Sequence, residues 1–280
     1  MKIEALLLDM DGTTLQDNQV YISEKTMRAV KAAIAKGIYV VPCTGRALDM
    51  LPPQIAQISD VDMRYCITSH GARVVDRRTK ASLYTNLIAP GQAAEICRIF
   101  ENQNIYAEIA FKNDIYMEQS IVDTWREQPV PAHHIWYVEA GMAHAVPLLS
   151  GFFAAADEGV EKFNLYGIPP EKQRPIYDAI TATGFVSHTR PGINADLEFL
   201  TAAIDKSEAV SALLAHLQIP MENVMICGDS SSDVAIIRKA GVGVAMGNAP
   251  GWIKQDADYV TASNAEDGVA QAIAKFILEQ

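Results

Sequence analysis

Short apolar runs alternate with helical patterns along much of this chain, and that alternation restricts the possible folds more than any other feature. The runs lie at residues 3–8, 38–41, 65–68, 224–227, 242–246 and 259–261. Each is almost continuously apolar and ends in a turn or in polar residues, which predicts strands that are covered on both faces. Helices are predicted at residues 23–36, 207–217, 232–240 and 265–278, with Ser23, Ser207 and Asn264 as candidate caps. This order predicts an α/β fold, a doubly wound parallel sheet with right-handed connections.

The middle of the chain follows a different pattern. Residues 83–188 mix amphipathic helices, at 92–103 and 172–183, with short alternating segments that resemble strands. This mixture predicts an α+β domain inserted into the α/β domain. We therefore expect a core domain made of residues 1–82 and 189–280, and an inserted domain made of residues 83–188.

The first apolar run leads directly into two carboxylates, Asp9 and Asp11, with Gly12 after them. Open parallel sheets bind ligands at the carboxyl ends of their strands, where buried carboxylates have a use. One aspartate can bind a metal and attack phosphorus, and the other can carry a proton to the leaving oxygen. In isolation, the two residues could merely cap a turn.

Two further groups suit a bound phosphoryl group. Thr44 follows the second apolar run and offers a hydroxyl and a backbone N–H, and Arg46 offers a fork that fits either phosphate or a nearby carboxylate. Lys206 stands at a predicted helix start, where the helix dipole disfavours a cation, so an anionic site would explain its placement. Taken singly, the first group reads as an ordinary strand-to-helix turn and the lysine as a solvated surface residue.

The fourth apolar run ends in Gly-Asp, and a second aspartate follows four residues later. Asp229 and Asp233, together with Asp9, supply the oxygen ligands that Mg²⁺ prefers. Helix capping is the alternative use of such residues. The four groups together predict a phosphoryl-transfer site with a nucleophile, a cation, oxygen donors and a proton carrier.

The order of these motifs resembles the haloacid dehalogenase superfamily of phosphohydrolases, and most closely its Cof-like branch with a large α+β cap. The likeness covers essentially the whole chain. It implies that Asp9 forms an aspartyl-phosphate, that Asp11 is general acid and then base, and that Thr44 and Lys206 hold the phosphoryl group. It also implies that Asp9, the Asp11 carbonyl, Asp229 and Asp233 support Mg²⁺, and that Asn248 lies near the phosphate.

The chain departs from the branch at two positions. Ser232 stands where an asparagine usually precedes the last aspartate, and His70 stands before Gly71 and Ala72 where asparagine is usual. By the resemblance, residue 70 faces the substrate. Arg46 and Gly71 are also expected to bind the substrate. We expect His70 to tune the choice of substrate; a histidine that merely ends a strand is the alternative.

The predicted function is a magnesium-dependent phosphatase of small phosphorylated metabolites, such as sugar phosphates or phosphorylated cofactors. A phosphotransferase or phosphomutase would share the covalent intermediate and differ only in the acceptor. A phospho-accepting signalling module is a third reading, which the inserted domain and the proton carrier Asp11 oppose.

Charge and cysteine usage restrict the partners and the compartment. The formal net charge of −11 opposes binding to nucleic acid or to an anionic membrane. No signal peptide or membrane-spanning run is evident, and the four widely spaced cysteines read as buried free thiols. We expect a cytoplasmic protein, a monomer or small homo-oligomer, with a small phosphorylated substrate as its partner.

Overall fold

The computed structural model describes residues 2–189 and 196–279, and these residues form two compact units. The first unit comprises Met1–Arg46, Leu51–Thr85 and Asp205–Gln280, and the second comprises Ala47–Met50 and Asn86–Ile204. Each unit has its own buried apolar core. Among the described residues, none of the helices has the combination of length and apolar character that crossing a bilayer requires.

The strands of the described residues are β1 (Ala5–Leu8), β2 (Tyr39–Pro42), β3 (Tyr65–Thr68), β4 (Arg73–Asp76), β5 (Ser82–Thr85), β6 (Tyr106–Phe111), β7 (Asp114–Glu118), β8 (His144–Val146), β9 (Lys162–Tyr166), β10 (Val186–Thr189), β11 (Leu197–Thr201), β12 (Val224–Gly228), β13 (Val242–Ala245) and β14 (Tyr259–Val260). The α-helices are α1 (Glu24–Ala35), α2 (Pro53–Ala56), α3 (Pro90–Phe100), α4 (Gln119–Asp123), α5 (Ile135–Glu139), α6 (Leu149–Ala154), α7 (Pro170–Ala182), α8 (Lys206–Leu217), α9 (Val234–Ile237), α10 (Gly251–Lys254) and α11 (Gly268–Ile273).

A five-stranded parallel sheet forms the centre of the first unit, in the order β14-β13-β12-β1-β2. Strand β1 lies in its middle and is buried along its whole length, as its continuous apolar sequence predicts. Because neighbouring parallel strands end at the same edge, the residues that follow β1 and β12 are brought together. The predicted α/β class with a doubly wound parallel sheet is thereby observed.

Strand β3 differs from the prediction in its pairing. Among the described residues, an isolated bridge between Cys43 and Ile67 joins it to the parallel sheet, and it pairs antiparallel with β4 in a separate sheet, β3-β4-β5. The turn Ser69–Gly71 between β3 and β4 reverses the chain within three residues. A tight reversal of this kind permits antiparallel pairing, whereas a parallel partner needs a long crossover.

Helix ends agree with the sequence pattern in some places and differ in others. Ser23 caps α1 as predicted, because its hydroxyl accepts the Thr26 N–H at 3.0 Å. Asp205, rather than the predicted Ser207, caps α8, and Lys206 is therefore the first helical residue. Before the last helix, α11, Asp267 occupies the N-cap position predicted for Asn264, and Asn264 instead begins a short 3₁₀ turn, Asn264–Glu266, with Ser263 at its N-cap.

A six-stranded sheet forms the second unit, in the order β10-β11-β9-β6-β7-β8, and it is antiparallel except for the β7–β8 pair. One apolar cluster contains residues of β6, β9 and β11 together with residues of α3, α6 and α7. The predicted inserted domain ends at residue 188, but β11 pairs with both β9 and β10, so the second unit extends to Ile204. The main segment of the second unit begins at Asn86, three residues after the predicted start at residue 83. The short segment Ala47–Met50 also belongs to the second unit.

Candidate active site

The loop after β1 presents two aspartates at the end of the parallel sheet. Asp9 is 7% exposed, and its backbone carbonyl accepts the Thr14 hydroxyl at 2.6 Å. Asp11 lies in the tight turn that follows, where Gly12 adopts a left-handed φ of 73°. A glycine is favoured there because other residues are strained in that conformation. The turn separates the two carboxylates, so each can act on different atoms.

Asp9 meets two other carboxylates from distant parts of the sequence. Carboxylate oxygens of Asp9, Asp229 and Asp233 all lie within 4.8 Å of one another. Asp9 follows β1 and Asp229 follows β12, its neighbour in the sheet, so the topology brings them together. Of the residues predicted as metal ligands, these three form one cluster.

The Lys206 ammonium is the cation of this cluster. It lies 2.7 Å from Asp233 Oδ1 and 3.2 Å from Asp9 Oδ1, and the lysine is 4% exposed. Burial lowers the pKa of Lys206, but the Asp233 and Asp9 carboxylates outweigh burial and raise that pKa well above its usual value. The lysine therefore stays charged, and its placement at a helix start is explained by the anions around it.

One ammonium does not balance the three carboxylates. Burial, reinforced by the neighbouring carboxylates and opposed by Lys206, raises the pKa of Asp9 well above its usual value. Burial also raises the pKa of Asp229 to about 6, although the hydrogen bond from Thr13 lowers it. Three carboxylates beside one ammonium leave an excess of negative charge, which a divalent cation would relieve.

The surrounding backbone makes room for these carboxylates. A Cβ at Gly12 would collide with the carboxylate of Asp229, and a Cβ at Gly228 would lie 2.6 Å from the carboxyl carbon of Asp233. Among the described hydrogen bonds and ion pairs, Asp9 Oδ2 and Asp229 Oδ2 have no protein partner, whereas Asp233 accepts from both Lys206 and Ser230. Hard oxygen ligands with free lone pairs fit Mg²⁺.

Thr44, the third predicted catalytic residue, is fully buried at the end of β2. Its backbone N–H donates to the Ile67 carbonyl at 2.9 Å, and its carbonyl accepts the His70 N–H at 3.0 Å. The Thr44 hydroxyl oxygen accepts the Arg46 N–H at 3.1 Å, which leaves its proton available as a donor. These bonds hold the strand-end turn that carries Thr44 and Arg46.

The predicted substrate residues after β3 lie against this turn. The His70 ring lies so close to Gly45 that a Cβ there would collide with the imidazole Nε2. Gly71, at a φ of 93°, allows the backbone of Lys206 to approach, since a Cβ would lie 2.8 Å from the lysine Cα. His70 itself has a left-handed φ of 56°. Such a conformation is uncommon for a residue other than glycine.

The sequence predicts that Arg46 binds either phosphate or a nearby carboxylate. In the structure it binds a carboxylate. It forms a two-point ion pair with Asp11, with Nη2 at 2.6 Å from Oδ1 and Nε at 2.9 Å from Oδ2. The Arg46 side chain is 6% exposed and the Asp11 side chain 39%. The predicted proton carrier is thus held by an arginine.

Asn248 lies beside the loop that follows β1, with both ends of its amide bonded to protein. Its Nδ2 donates to the Gly12 carbonyl at 2.7 Å, and its Oδ1 accepts the Asn264 N–H at 3.1 Å. Asn264 in turn donates to the Leu15 carbonyl at 2.9 Å. The family resemblance predicts Asn248 near the phosphate, but the sequence does not reveal Asn264 as a member of this group, because an asparagine near a helix start is equally typical of a cap.

The cysteines have no place in this chemistry. All four are free and buried, as predicted. Burial raises the pKa values of Cys43, Cys66 and Cys227 to about 12, which makes them poor nucleophiles.

A family profile described as haloacid dehalogenase-like hydrolase matches residues 6–273. The chain belongs to this family. The 5-amino-6-(5-phospho-D-ribitylamino)uracil phosphatase YcsE of Bacillus subtilis (strain 168) is 32% identical over 283 residues, which cover 99% of this chain and 96% of the relative. Phosphatase YwpJ of the same organism is 28% identical, over 96% of this chain and 98% of its own.

The fold of this haloacid dehalogenase-like hydrolase is also shared with solved structures. A haloacid dehalogenase-like hydrolase from Bacteroides thetaiotaomicron superimposes with a TM-score of 0.81 at 23% identity, over 99% of this chain and 100% of that one. The resemblance and the fold class inferred from the sequence are therefore confirmed. The predicted enzyme class, a phosphoric monoester hydrolase, is confirmed by the family and its phosphatase relatives.

Proposed function

We propose that this chain is a Mg²⁺-dependent phosphatase that hydrolyses small phosphorylated metabolites through an aspartyl-phosphate on Asp9. The observation that carries the proposal is the cluster of Asp9, Asp229 and Asp233 around the Lys206 ammonium. The cluster combines a buried nucleophile, metal ligands and a fixed positive charge, which are the parts that phosphoryl transfer needs.

Asp9 is proposed as the nucleophile because its Oδ2 is free of protein partners among the described contacts. Its other oxygen, Oδ1, lies 3.2 Å from Lys206, so the carboxylate is held while one oxygen can attack phosphorus. Lys206 would neutralise charge on the phosphoryl oxygens, and the Thr44 hydroxyl would donate to one of them. Asp11 would transfer protons to the leaving oxygen and from water.

Asp9, Asp229 and the Asp11 carbonyl would hold Mg²⁺ when it is bound, with Asp233 in support. The ion would neutralise the phosphoryl group and orient it toward Asp9. Ser230 donates to Asp233 through both its N–H, at 3.1 Å, and its hydroxyl, at 2.8 Å. These bonds hold the Asp233 carboxylate in place. The branch usually has an asparagine immediately before this aspartate, where this chain has Ser232.

The substrate class is proposed from the relatives. YcsE is named for a phosphatase of a phosphorylated ribitylaminouracil, and an archaeal relative, from Methanobrevibacter smithii, is named phosphoglycolate phosphatase. The substrates in both names are small soluble phosphate esters. We expect the second unit, residues 86–204 with 47–50, to act as the cap that selects among such esters.

Substitution of Asp9 by asparagine tests the nucleophile. Asp9→Asn keeps the volume and removes the charge, so it should abolish hydrolysis of para-nitrophenyl phosphate and labelling of the protein by radioactive substrate phosphate. Asp157→Asn, at a carboxylate whose side chain is 78% exposed, is the matched control and should retain full activity. Substantial turnover by Asp9→Asn would refute the assignment.

Removal of the metal tests the cofactor. EDTA should stop hydrolysis by the wild-type protein, and Mg²⁺ should restore it. Calorimetric titration with Mg²⁺ gives a readout besides activity, and Asp229→Asn should weaken binding there. Hydrolysis that persists in EDTA would remove the metal from the proposal. A panel of sugar phosphates and phosphorylated cofactors would then identify the substrate.

A further inference from the structure

The structure assigns Arg46 as a positioning residue that orients the Asp11 carboxyl group for proton transfer, rather than as a ligand of the phosphoryl group. This inference rests on the proposed function, because it gives Asp11 the role of proton carrier. It adds a residue that acts on the reaction through another side chain.

The contact between the two side chains is a two-point ion pair. Arg46 Nε donates to Asp11 Oδ2 at 2.9 Å, and Nη2 donates to Oδ1 at 2.6 Å. Nη2 also donates to the Gln19 carbonyl at 2.6 Å. Two parallel bonds fix the plane of a carboxylate as well as its position, which a single bond does not.

The arginine is itself held more firmly than the aspartate. Its backbone N–H donates to the Thr44 hydroxyl oxygen at 3.1 Å, and its carbonyl accepts the Ser69 N–H at 2.9 Å. Its side chain is 6% exposed, against 39% for Asp11. Asp11 lies in a turn next to Gly12, so its orientation depends on an outside partner, and Arg46 provides a fixed one.

Proton transfer requires this control of geometry. In the first step Asp9 Oδ2 bonds to phosphorus while the ester P–O bond breaks, and the protonated Asp11 carboxyl gives its proton to the departing oxygen. In the second step water attacks phosphorus, its proton passes to the Asp11 carboxylate, and the bond between Asp9 and phosphorus breaks to release phosphate. A proton donor must lie within hydrogen-bond reach of the oxygen it serves.

Leaving-group dependence separates this role from the alternatives. Nitrophenolate departs readily without a proton, whereas a benzyl alkoxide needs one. We propose to measure kcat/KM, which reports steps up to formation of the phosphoenzyme, for para-nitrophenyl phosphate and for benzyl phosphate. The ratio of the two values does not depend on the fraction of folded protein, so a partly unfolded variant remains informative.

Three variants and one control define the experiment. Asp11→Asn removes the proton carrier and sets the reference ratio, Arg46→Met removes the ion pair, and Arg46→Lys restores charge without the two-point geometry. Arg28→Met is the control, because Arg28 pairs with Glu24 on the exposed surface of α1, with side chains 70% and 82% exposed. It should leave both substrates unaffected.

We expect Arg46→Met to lower kcat/KM for benzyl phosphate by about 100-fold and for para-nitrophenyl phosphate by less than about tenfold, in the direction of Asp11→Asn. Arg46→Lys should give an intermediate ratio. Equal losses on both substrates would overturn the inference and favour a phosphate-binding or purely structural arginine. If Asp11→Asn itself shows no leaving-group dependence, the proposed role of Asp11 fails instead.

Discussion

Thr13 donates its hydroxyl hydrogen to Asp229 Oδ1 over 2.7 Å, although 216 positions separate the two residues in sequence. The bond ties the loop after β1 to the loop after β12. Thr13 is 1% exposed and Asp229 is partly buried, so the bond is partly shielded from solvent. It fixes one oxygen of Asp229 and leaves the other for a cation.

We expect Thr13→Val to weaken Mg²⁺ binding by about tenfold, because partners that orient a metal ligand contribute on that scale. Valine has nearly the shape of threonine but lacks the donor. Unfolding free energy should fall by about 1 kcal/mol for the lost, partly buried hydrogen bond. Calorimetric titration with Mg²⁺ measures the first effect, and denaturant unfolding the second.

Thr181→Val provides the comparison, since that hydroxyl donates within its own helix to the Tyr177 carbonyl. It should leave the Mg²⁺ affinity unchanged. An equal affinity in Thr13→Val and wild type would show that the bond does not orient Asp229.

Gly12→Ala should abolish most of the activity. A Cβ at this position would collide with the Asp229 carboxylate, and the residue holds a left-handed φ of 73°. The carboxylate would have to move out of the cluster that it forms with Asp9. Activity on para-nitrophenyl phosphate and Mg²⁺ titration both report this displacement.

Gly141→Ala separates the collision from the backbone cost. Gly141 has a similar φ of 66°, but a Cβ there would meet nothing within 4 Å. Its alanine variant should lose only about 1 kcal/mol of stability for the left-handed conformation and keep full activity. Comparable activity losses in both variants would show that Gly12→Ala acts through the strained backbone conformation rather than through a collision with Asp229.

The sequence predicts which residues of the site lie at strand ends, but it does not predict which side chains they bind. Apolar runs that end in aspartate give the positions of Asp9 and Asp229, and parallel pairing of β1 with β12 makes them neighbours. Arg46 fits phosphate or carboxylate equally well by its chemistry. Only the distance to Asp11, set by two separate turns, decides between them.

Local signals of similar strength explain the other differences. Asp205 and Ser207 both have side chains that cap helices well, so the local sequence does not decide between them. The extent of the second unit depends on the pairing of β11, which a sequence pattern of alternating residues leaves open. Long-range contacts therefore decide what local propensity does not.

Asp76 should make stability depend on pH. Its hydrogen bond with Arg64, at 2.6 Å, outweighs burial and, with backbone N–H groups of Arg78 and Thr79, lowers its pKa below the usual value. A carboxyl whose pKa is lower in the folded state stabilises above its unfolded pKa of about 3.9, and that contribution is lost as pH falls through the folded value. Asp76→Asn should thus lower Tm at pH 7, with a difference from wild type that shrinks in acid.

Asp178→Asn is the matched control, because Asp178 pairs with Arg174 at 2.7 Å on the surface, with side chains 52% and 82% exposed. Exposed ion pairs contribute little to stability, so its Tm should stay close to wild type at each pH. A Tm difference for Asp76→Asn that stays constant from pH 7 down to acid would contradict the role of its ionised form.

His70→Asn should change which phosphate esters the enzyme prefers. The ring of His70 lies against Gly45, in the turn that also carries Thr44 and Arg46, so we expect it to form part of the wall beside a bound phosphoryl group. Asparagine tolerates the left-handed φ of 56°, so the backbone should be kept while the ring is lost. The measurement is kcat/KM over a panel of sugar phosphates and phosphorylated cofactors.

His216→Asn, at an exposed histidine in the last turn of α8, should leave the order of substrates unchanged. If His70→Asn also leaves that order unchanged, the histidine serves only the turn after β3 and does not select the substrate.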